Sequence, residues 1–133
     1  KYQSIFLDDF SKEELLKNLF KPKVDMVFSA GFRYILPKYI LEQNLFFLNS
    51  HPSYLPKYKG RKAISSAFKS NENYIGSTLH FMNENVDSGK IIYQEKIGIR
   101  SFNLDQVYKV VFSFLEPCVI TKGLNLLLNE RSN

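Results

Sequence analysis

The chain has 133 residues, of which 44% are hydrophobic, and its 18 basic and 13 acidic residues leave a net charge of +5. That length excludes several large domains but is enough to bury roughly two thirds of the unfolded surface, so we expect one domain over residues 1–133. No apolar run approaches the roughly 18 residues needed to cross a bilayer, and a single cysteine excludes an internal disulfide. These features predict a soluble cytoplasmic protein without a membrane partner.

The first half of the sequence predicts a helix followed by a strand, a second helix and a second strand. Ser11 and Glu14 have the spacing of a capping box, and apolar residues at helical spacing continue to about residue 20. Residues 24–31 are mostly apolar and end in a glycine, as buried parallel strands do. A helix near 37–42 then leads to an apolar strand at 45–48, so the two strands are expected to be parallel.

The second half predicts a helix, a hairpin and a long C-terminal helix. The elements are a helix at 63–70, strands at 76–82 and 91–97, and a helical stretch from residue 103 or 104 to about 129. A polar loop separates the two strands, and Pro117 predicts a kink or two abutting helices. The order of elements indicates an α/β fold with a mostly parallel sheet, an added hairpin and flanking helices.

A carboxamide and an imidazole, Asn49 and His51, follow the second apolar strand. Residues i and i+2 of an extended chain point to the same face, so both side chains can converge on one substrate atom while Ser50 points away. Strand ends also place Asp87 in this region. An amide can donate to an oxyanion, an imidazole can exchange protons near neutrality, and a carboxylate can relay a proton through water. The set suits acyl transfer without a covalent enzyme intermediate.

Other chemistries have weaker support. Neither Cys118, in the predicted core helix, nor Ser53, which lacks a nucleophile elbow, has the context of a catalytic nucleophile. His80 lies in an apolar strand and is either a core histidine or a second site residue. No Cys or His pair has a metal-finger spacing, so we expect no metal. Basic residues cluster after His51 and favour an anionic partner, but they form no long stripe, so we expect no nucleic acid partner.

Three segments, in this order, resemble the folate-dependent formyltransferases. They are residues 29–36, residues 48–60 with the run Asn49-Ser50-His51-Pro52-Ser53, and residues 76–81 continuing through 86–92. The family includes phosphoribosylglycinamide, methionyl-tRNA and sugar N-formyltransferases. The resemblance extends from about residue 24 to the final helix and implies a Rossmann-like formyltransferase fold.

The resemblance also implies a set of site residues and a co-substrate. Asn49 would hold the formyl oxygen, His51 would stabilise the tetrahedral intermediate, and Asp87 would position His51 and water for proton transfer from the attacking amine. The formyl donor would be 10-formyltetrahydrofolate. The residues that would bind it are Phe32, Arg33, Ile35, Leu36, His80 and Val86. By the same analogy the peptide bond between residues 55 and 56 is expected to be cis.

The sequence departs from the family in two ways. Members normally begin with another strand and a glycine-containing loop that grips the acceptor's phosphate; nothing before residue 24 supplies these, and the sequence does not start with methionine, so we expect a chain that is partial at the N-terminus. There is no barrel domain of the tRNA-acting type after the final helix, which favours a small-molecule amine acceptor, either glycinamide ribonucleotide or an amino sugar. The alternative is a shortened relative that binds folate or a partner without catalysis. A sheet edge left open by the missing strand favours a homodimer.

Overall fold

The computed structural model describes residues 24–31 and 35–131, together with residue 17. Their elements in chain order are β1 (Met26–Ala30), α1 (Lys38–Leu41), β2 (Phe46–His51), α2 (Ala63–Lys69), β3 (Tyr74–Phe81), β4 (Ile91–Gly98), α3 (Leu104–Val110), a π-helical turn (Val111–Leu115) and α4 (Glu116–Arg131). The helix predicted at 11–20 lies outside the described residues apart from residue 17, which is helical. All later predicted helices and strands are present, although β2 runs three residues further than expected and includes Asn49 and His51.

The four strands form one sheet in the order β1-β2-β3-β4. The β1–β2 pair is parallel, as predicted, whereas the β2–β3 and β3–β4 pairs are antiparallel. The α/β fold with an added hairpin is therefore confirmed, but the described sheet is mixed and not mostly parallel. The segment after β2 does not carry the chain back across the sheet. Strand β3 begins beside the end of β2, where Thr78 pairs with His51, and therefore runs antiparallel to it.

The C-terminal helices cover one face of the sheet. Leu48 and Leu79 from the sheet and Val107, Val111 and Val119 from the helices are all fully buried there. Helix α4 lies so close to β3 that a side chain at position 123, a glycine, would meet Leu79. Because side chains alternate along a strand, the neighbouring residues Asn49 and His80 point to the opposite face.

A π-helical turn joins α3 and α4 directly before Pro117. Proline has no amide hydrogen, and its ring clashes with the carbonyl of the residue four positions earlier in a regular α-helix. A widened turn relieves that conflict without ending the helix. The predicted interruption is thus found as two α-helices joined by a π-helical turn.

The stretch Leu104–Glu130 is 27 residues long and, by length and composition, apolar enough to cross a membrane. No uninterrupted apolar run of this length occurs in it, because Lys109, Glu116 and Lys122 divide the stretch. One face packs on the sheet, and packing there accounts for part of the composition: Val107, Val111, Leu115 and Val119 are at most 1% exposed. Other apolar side chains of the stretch are at least 37% exposed, namely Tyr108, Phe112, Phe114 and Leu126.

Candidate active site

Asn49 lies at the centre of a row of polar side chains that crosses three strands. Strand register pairs Ser29 of β1 with Asn49 of β2, and Asn49 with His80 of β3. The Ser29 hydroxyl donates to Asn49 Oδ1 at 2.6 Å, which directs the amide nitrogen away from β1. Asn49 Nδ2 lies 3.3 Å from His80 Nε2. Strand pairing therefore decides that the carboxamide oxygen of Asn49 faces β1 and that its nitrogen faces β3.

Both ring nitrogens of His51 face oxygen atoms. Nε2 lies 2.8 Å from the carbonyl oxygen of Tyr58, and Nδ1 lies 3.3 Å from Asp87 Oδ2. A carbonyl can only accept a hydrogen bond, so Nε2 carries a hydrogen. Nδ1 faces the carboxylate of Asp87. The surroundings of His51 therefore offer an oxygen atom to each of its two ring nitrogens.

The carboxylate of Asp87 holds the cluster together. Oδ1 lies 3.4 Å from Asn49 Nδ2 and 3.5 Å from His80 Nε2, and Oδ2 accepts from the Gly60 amide at 2.7 Å in addition to facing His51. Burial by itself would raise the pKa of Asp87, but the contact with His80, the Gly60 amide and the charges of the two histidines outweigh burial and hold this pKa below its usual value. Asp87 is therefore an ionised carboxylate at neutral pH.

The loop between β3 and β4 has to fold back over the sheet to bring Asp87 to the cluster. It leaves β3 at Phe81, which pairs with Leu48 near the start of β2 and not with the end of β2. Strand ends alone therefore do not place Asp87, in contrast to the prediction. Asp87 adopts a left-handed backbone conformation with φ 46°, which Asp tolerates better than most residues. A side chain at Gly89 would overlap the Phe81 carbonyl, so the fold-back requires glycine there.

The loop that follows β2 supplies the other side of the cluster. Its Gly60 has φ 77°, a conformation that favours glycine, and directs its amide at Asp87. The Lys59 ammonium donates to the Ser88 hydroxyl at 2.7 Å and joins the two loops. The loop is anchored to β3 through Thr78, whose hydroxyl accepts from the Leu55 amide at 3.2 Å. The bond between Leu55 and Pro56 is cis, as the resemblance implied.

The residues predicted to bind the donor are not all described by the structure. Phe32 and Arg33 lie outside the described residues. Ile35 and Val86 are 67% and 48% exposed, an unusual environment for apolar side chains, whereas Leu36 is 6% exposed and packs with Ile40 and Phe47. Contact between a ligand and Leu36 would therefore use its backbone. His80 lies inside the polar cluster and is 2% exposed.

A separate cavity of about 150 Å³ lies between the loop after β2, helix α2 and the start of β3. It contains none of the predicted site residues. Its polar groups are paired with one another, since Lys57 donates to Glu72 at 2.8 Å and the Tyr58 hydroxyl donates to the same carboxylate at 3.0 Å. We therefore place the candidate active site at the Asp87 cluster.

Three contributors to the cluster were missed from the sequence: the Ser29 hydroxyl, the Tyr58 carbonyl and the Gly60 amide. Ser29 was detectable in principle, because aligning the two predicted parallel strands places it beside Asn49. The two backbone groups carry no sequence signal, since their direction depends on left-handed residues in the loop, Tyr58 with φ 56° and Gly60. Within the described chain, no group of three or more His, Cys, Asp or Glu side chains is arranged to hold a metal ion.

The fold and the site together define a Rossmann-like α/β protein in which a carboxamide, an imidazole and a carboxylate meet in one polar cluster. The Formyl transferase family matches residues 8–116 of the chain. Phosphoribosylglycinamide formyltransferase of Haemophilus influenzae is 43% identical over 77 residues, which are 57% of this chain and 36% of that protein.

Two solved structures are similar. Phosphoribosylglycinamide formyltransferase of Anaplasma phagocytophilum has a TM-score of 0.78 and 30% identity over 89% of this chain and 58% of that one. A formyltetrahydrofolate deformylase of Pseudomonas syringae has a TM-score of 0.81 and 26% identity over 90% of this chain and 40% of that one. The chain belongs to the formyl transferase family, and the resemblance inferred from its motifs is confirmed. It spans well under two thirds of the length of these relatives.

Proposed function

We propose that this chain transfers a formyl group from 10-formyltetrahydrofolate to the primary amine of a small acceptor. The observation that carries the proposal is the convergence of Asn49, His51 and Asp87. A strand and a folded-back loop bring Asp87 to 3.4 Å from Asn49, which is 38 positions away in the sequence, and to 3.3 Å from His51. An ionised carboxylate between an amide donor and an imidazole matches the needs of amine attack on a formyl carbon.

Each group has a separate part in the proposed reaction. The amine nitrogen bonds to the formyl carbon, and the carbonyl oxygen becomes an oxyanion. To donate to this oxyanion, Asn49 Nδ2 gives up its contact with Asp87, and a ring nitrogen of His51 gives up its contact with Asp87 or with the Tyr58 carbonyl. Asp87 takes the proton of the amine through a water molecule. The bond between the formyl carbon and N10 of the folate then breaks, and the leaving nitrogen receives the proton. Asp87 is ionised before attack, as a proton acceptor has to be.

The proposed donor site keeps the residues named from the resemblance: Phe32, Arg33, Ile35, Leu36, His80 and Val86. The exposure of Ile35 and Val86 supports an apolar contact with the pterin. Both side chains are exposed in the described chain and are therefore open to contact with an aromatic ring. The family membership supports a formyltetrahydrofolate as the donor.

The acceptor is proposed to be a small phosphorylated or nucleotide-linked amine. The similarity to the Haemophilus phosphoribosylglycinamide formyltransferase favours glycinamide ribonucleotide, and hence purine biosynthesis, over an amino sugar. Arg61 and Lys62 are exposed beside the site and support an anionic acceptor. We further propose a cytoplasmic location and a homodimer, without nucleic acid or membrane partners.

Hydrolysis of the formyl donor is the second candidate function. The similarity to the Pseudomonas formyltetrahydrofolate deformylase favours it, since the same three residues can activate water in place of an amine. The products would then be formate and tetrahydrofolate. A third possibility, folate binding without catalysis, is distinguished by the same experiment.

The test follows the release of tetrahydrofolate from 10-formyltetrahydrofolate with and without glycinamide ribonucleotide or an amino sugar, and detects the formylated amine by mass spectrometry. His51→Ala is expected to lower the rate by at least about 10²-fold while the protein stays folded. Asn85→Ala, an exposed residue of the same loop as Asp87, is the matched control and should leave the rate unchanged.

The outcomes separate the three candidates. Formyl release that requires the amine supports transfer, and equal release without it supports hydrolysis. Saturable calorimetric binding of 5-formyltetrahydrofolate without turnover identifies a binding protein. Undiminished turnover in His51→Ala contradicts the proposed site.

A further inference from the structure

The carboxylate of Glu72 binds two neighbouring residues of the loop that follows β2. Glu72 lies in the turn between α2 and β3. Its Oε1 accepts from the Lys57 ammonium at 2.8 Å and from the Tyr58 hydroxyl at 3.0 Å. All three residues line the separate cavity, away from the cluster around Asp87. The reaction proposed for that cluster uses neither contact, so the two contacts need another explanation.

Tyr58 connects Glu72 to the candidate active site. The Tyr58 side chain points to Glu72, whereas its backbone carbonyl lies 2.8 Å from His51 Nε2. Two positions later, the Gly60 amide donates to Asp87 at 2.7 Å. Three consecutive residues of the loop therefore supply a backbone contact to each of two site residues. A restraint on the Tyr58 side chain consequently restrains the backbone that makes these contacts.

The backbone of Tyr58 has a conformation that needs support from its surroundings. Its φ is 56°, in the left-handed region that residues other than glycine seldom adopt. Such residues keep this conformation where contacts with the surrounding structure hold them in it. The Tyr58 ring packs against the hydrophobic core and its hydroxyl donates to Glu72, so both parts of the side chain are anchored. A change in the backbone angles of Tyr58 would turn its carbonyl away from His51.

The Tyr58 carbonyl determines which ring nitrogen of His51 faces Asp87. Because Nε2 donates to this carbonyl, Nδ1 is the nitrogen that faces Asp87, at 3.3 Å. In histidines generally, the hydrogen bond at one ring nitrogen sets the role of the other. If the carbonyl moves, the His51 ring loses one of the two contacts that fix its rotation.

We propose that Glu72 is a positioning residue that acts through Tyr58 to fix the orientation of the His51 ring. The link runs from the Glu72 carboxylate to the Tyr58 hydroxyl, and from the Tyr58 carbonyl to the ring. The kinetic consequence of this proposal rests on the proposed formyl transfer, whereas the effect on the ring of His51 does not.

Two variants remove the link from its two ends. Tyr58→Phe keeps the ring in the core and loses only the hydroxyl, and Glu72→Ala removes the carboxylate. We expect each variant to lower kcat for formyl transfer by about tenfold with KM within about twofold, because a small displacement of a catalytic group slows the reaction without removing a binding contact. Both variants break the same hydrogen bond, so the double variant should be about as slow as Glu72→Ala alone. Additive losses of about hundredfold, or wild-type kcat in both single variants, would overturn the kinetic role.

Three further variants separate this link from other effects. Glu72→Gln keeps an oxygen that accepts from the Tyr58 hydroxyl and should retain kcat within about threefold of the wild type. Lys57→Met removes the ion pair with Glu72 but leaves the Tyr58 contact, and it should also stay within about threefold. Tyr54→Phe is the matched control, because it makes the same change in another tyrosine of the same loop and keeps the ring, which lies 5.2 Å from the Lys96 ammonium. A tenfold loss in any of the three would contradict the proposed route through the Tyr58 hydroxyl.

A measurement independent of turnover keeps this proposal apart from the proposed function. The ¹⁵N and ¹H signals of the His51 ring report its hydrogen bonds directly. We expect the Nε2 signals to shift in Tyr58→Phe and in Glu72→Ala, and to stay unchanged in Tyr54→Phe. If the wild type transfers no formyl group but the signals shift in this pattern, formyl transfer is refuted and the positioning role is supported. If the signals do not shift, or shift equally in Tyr54→Phe, the positioning role is refuted whatever the wild-type activity.

Discussion

Replacing Gly89 by alanine tests whether the loop carrying Asp87 needs its observed fold-back. Gly89 does not have a positive φ, so alanine is permitted by the backbone itself. The obstacle is steric, since the added methyl group would overlap the carbonyl oxygen and carbon of Phe81. Neither partner is a flexible side chain, so the loop has to move away from β3. That movement breaks the hydrogen bond from the Phe81 amide to the Lys90 carbonyl, now 2.9 Å long, and withdraws Asp87 from the cluster.

The size of the effect follows from the two hydrogen bonds that this movement breaks. One backbone hydrogen bond contributes about 1 kcal/mol, and the bond from the Gly60 amide to the ionised Asp87 about 1.5–3 kcal/mol. The lower entropy of the unfolded alanine variant offsets about 0.4–1 kcal/mol. We expect Gly89→Ala to lose about 2–3 kcal/mol of stability, which corresponds to a fall in Tm of roughly 10 °C for a domain of this size.

Gly98→Ala is the matched control, because both glycines lie at an end of β4. Gly98 is the last residue of the strand, and Gly89 lies two residues before the first, Ile91. An added methyl group at Gly98 would come no closer than 4.0 Å to Asn73 or Tyr74. Its stability should match that of the wild type within about 1 kcal/mol. Urea unfolding followed by circular dichroism measures both variants. Equal unfolding midpoints for the two variants would refute the steric argument and the fold-back of the loop.

Two further predictions concern charge and packing. Asp87→Asn should destabilise the protein by about 1–3 kcal/mol at pH 6, since charged hydrogen bonds are lost. The folded-state pKa of Asp87 lies below its unfolded value of about 3.9, so the stabilisation is present above that pH and is lost as the pH falls through the folded-state pKa. The stability difference between wild type and variant should narrow as the pH falls from about 5 through and below the unfolded-state pKa in urea titrations, and a constant difference would contradict the assignment. Gly123→Ala should destabilise the protein by about 1 kcal/mol. The added methyl group would clash with Leu79 and Tyr93, and the cost of this clash outweighs a gain in helix propensity of about 0.8–1.0 kcal/mol. A raised Tm would show that Leu79 moves aside freely.

Three side chains of the polar cluster are almost completely shielded from solvent. The side chains of His51, His80 and Asp87 are 7%, 3% and 10% exposed. Asn49 is the half-buried member of the cluster. The Lys59 contact with Ser88 joins the two loops beside it.

Local patterns in the sequence predicted a large part of this fold. Apolar runs located each strand from β1 to β4, because burial of one or both faces leaves a direct hydrophobic signature. Pro117 located the change of helical geometry, since a missing amide hydrogen is a property of the residue itself. The run Asn49-Ser50-His51 identified the centre of the candidate site, because the alternation of a strand is local and needs no knowledge of the rest of the chain.

The sequence by itself determined which elements form, which side chains of β2 share a face, and the family to which the chain belongs. Only the tertiary structure decided that β3 runs antiparallel to β2, that the loop of Asp87 folds back to reach His51, and that Ser29 and the Gly60 amide complete the cluster. It also decided that Glu116 lies under Ser50. The physical reason is the sequence separation over which each kind of interaction acts. Hydrophobic period, caps and proline act over a few residues, whereas these contacts join positions 20 to 66 residues apart and depend on backbone directions that no single residue type specifies.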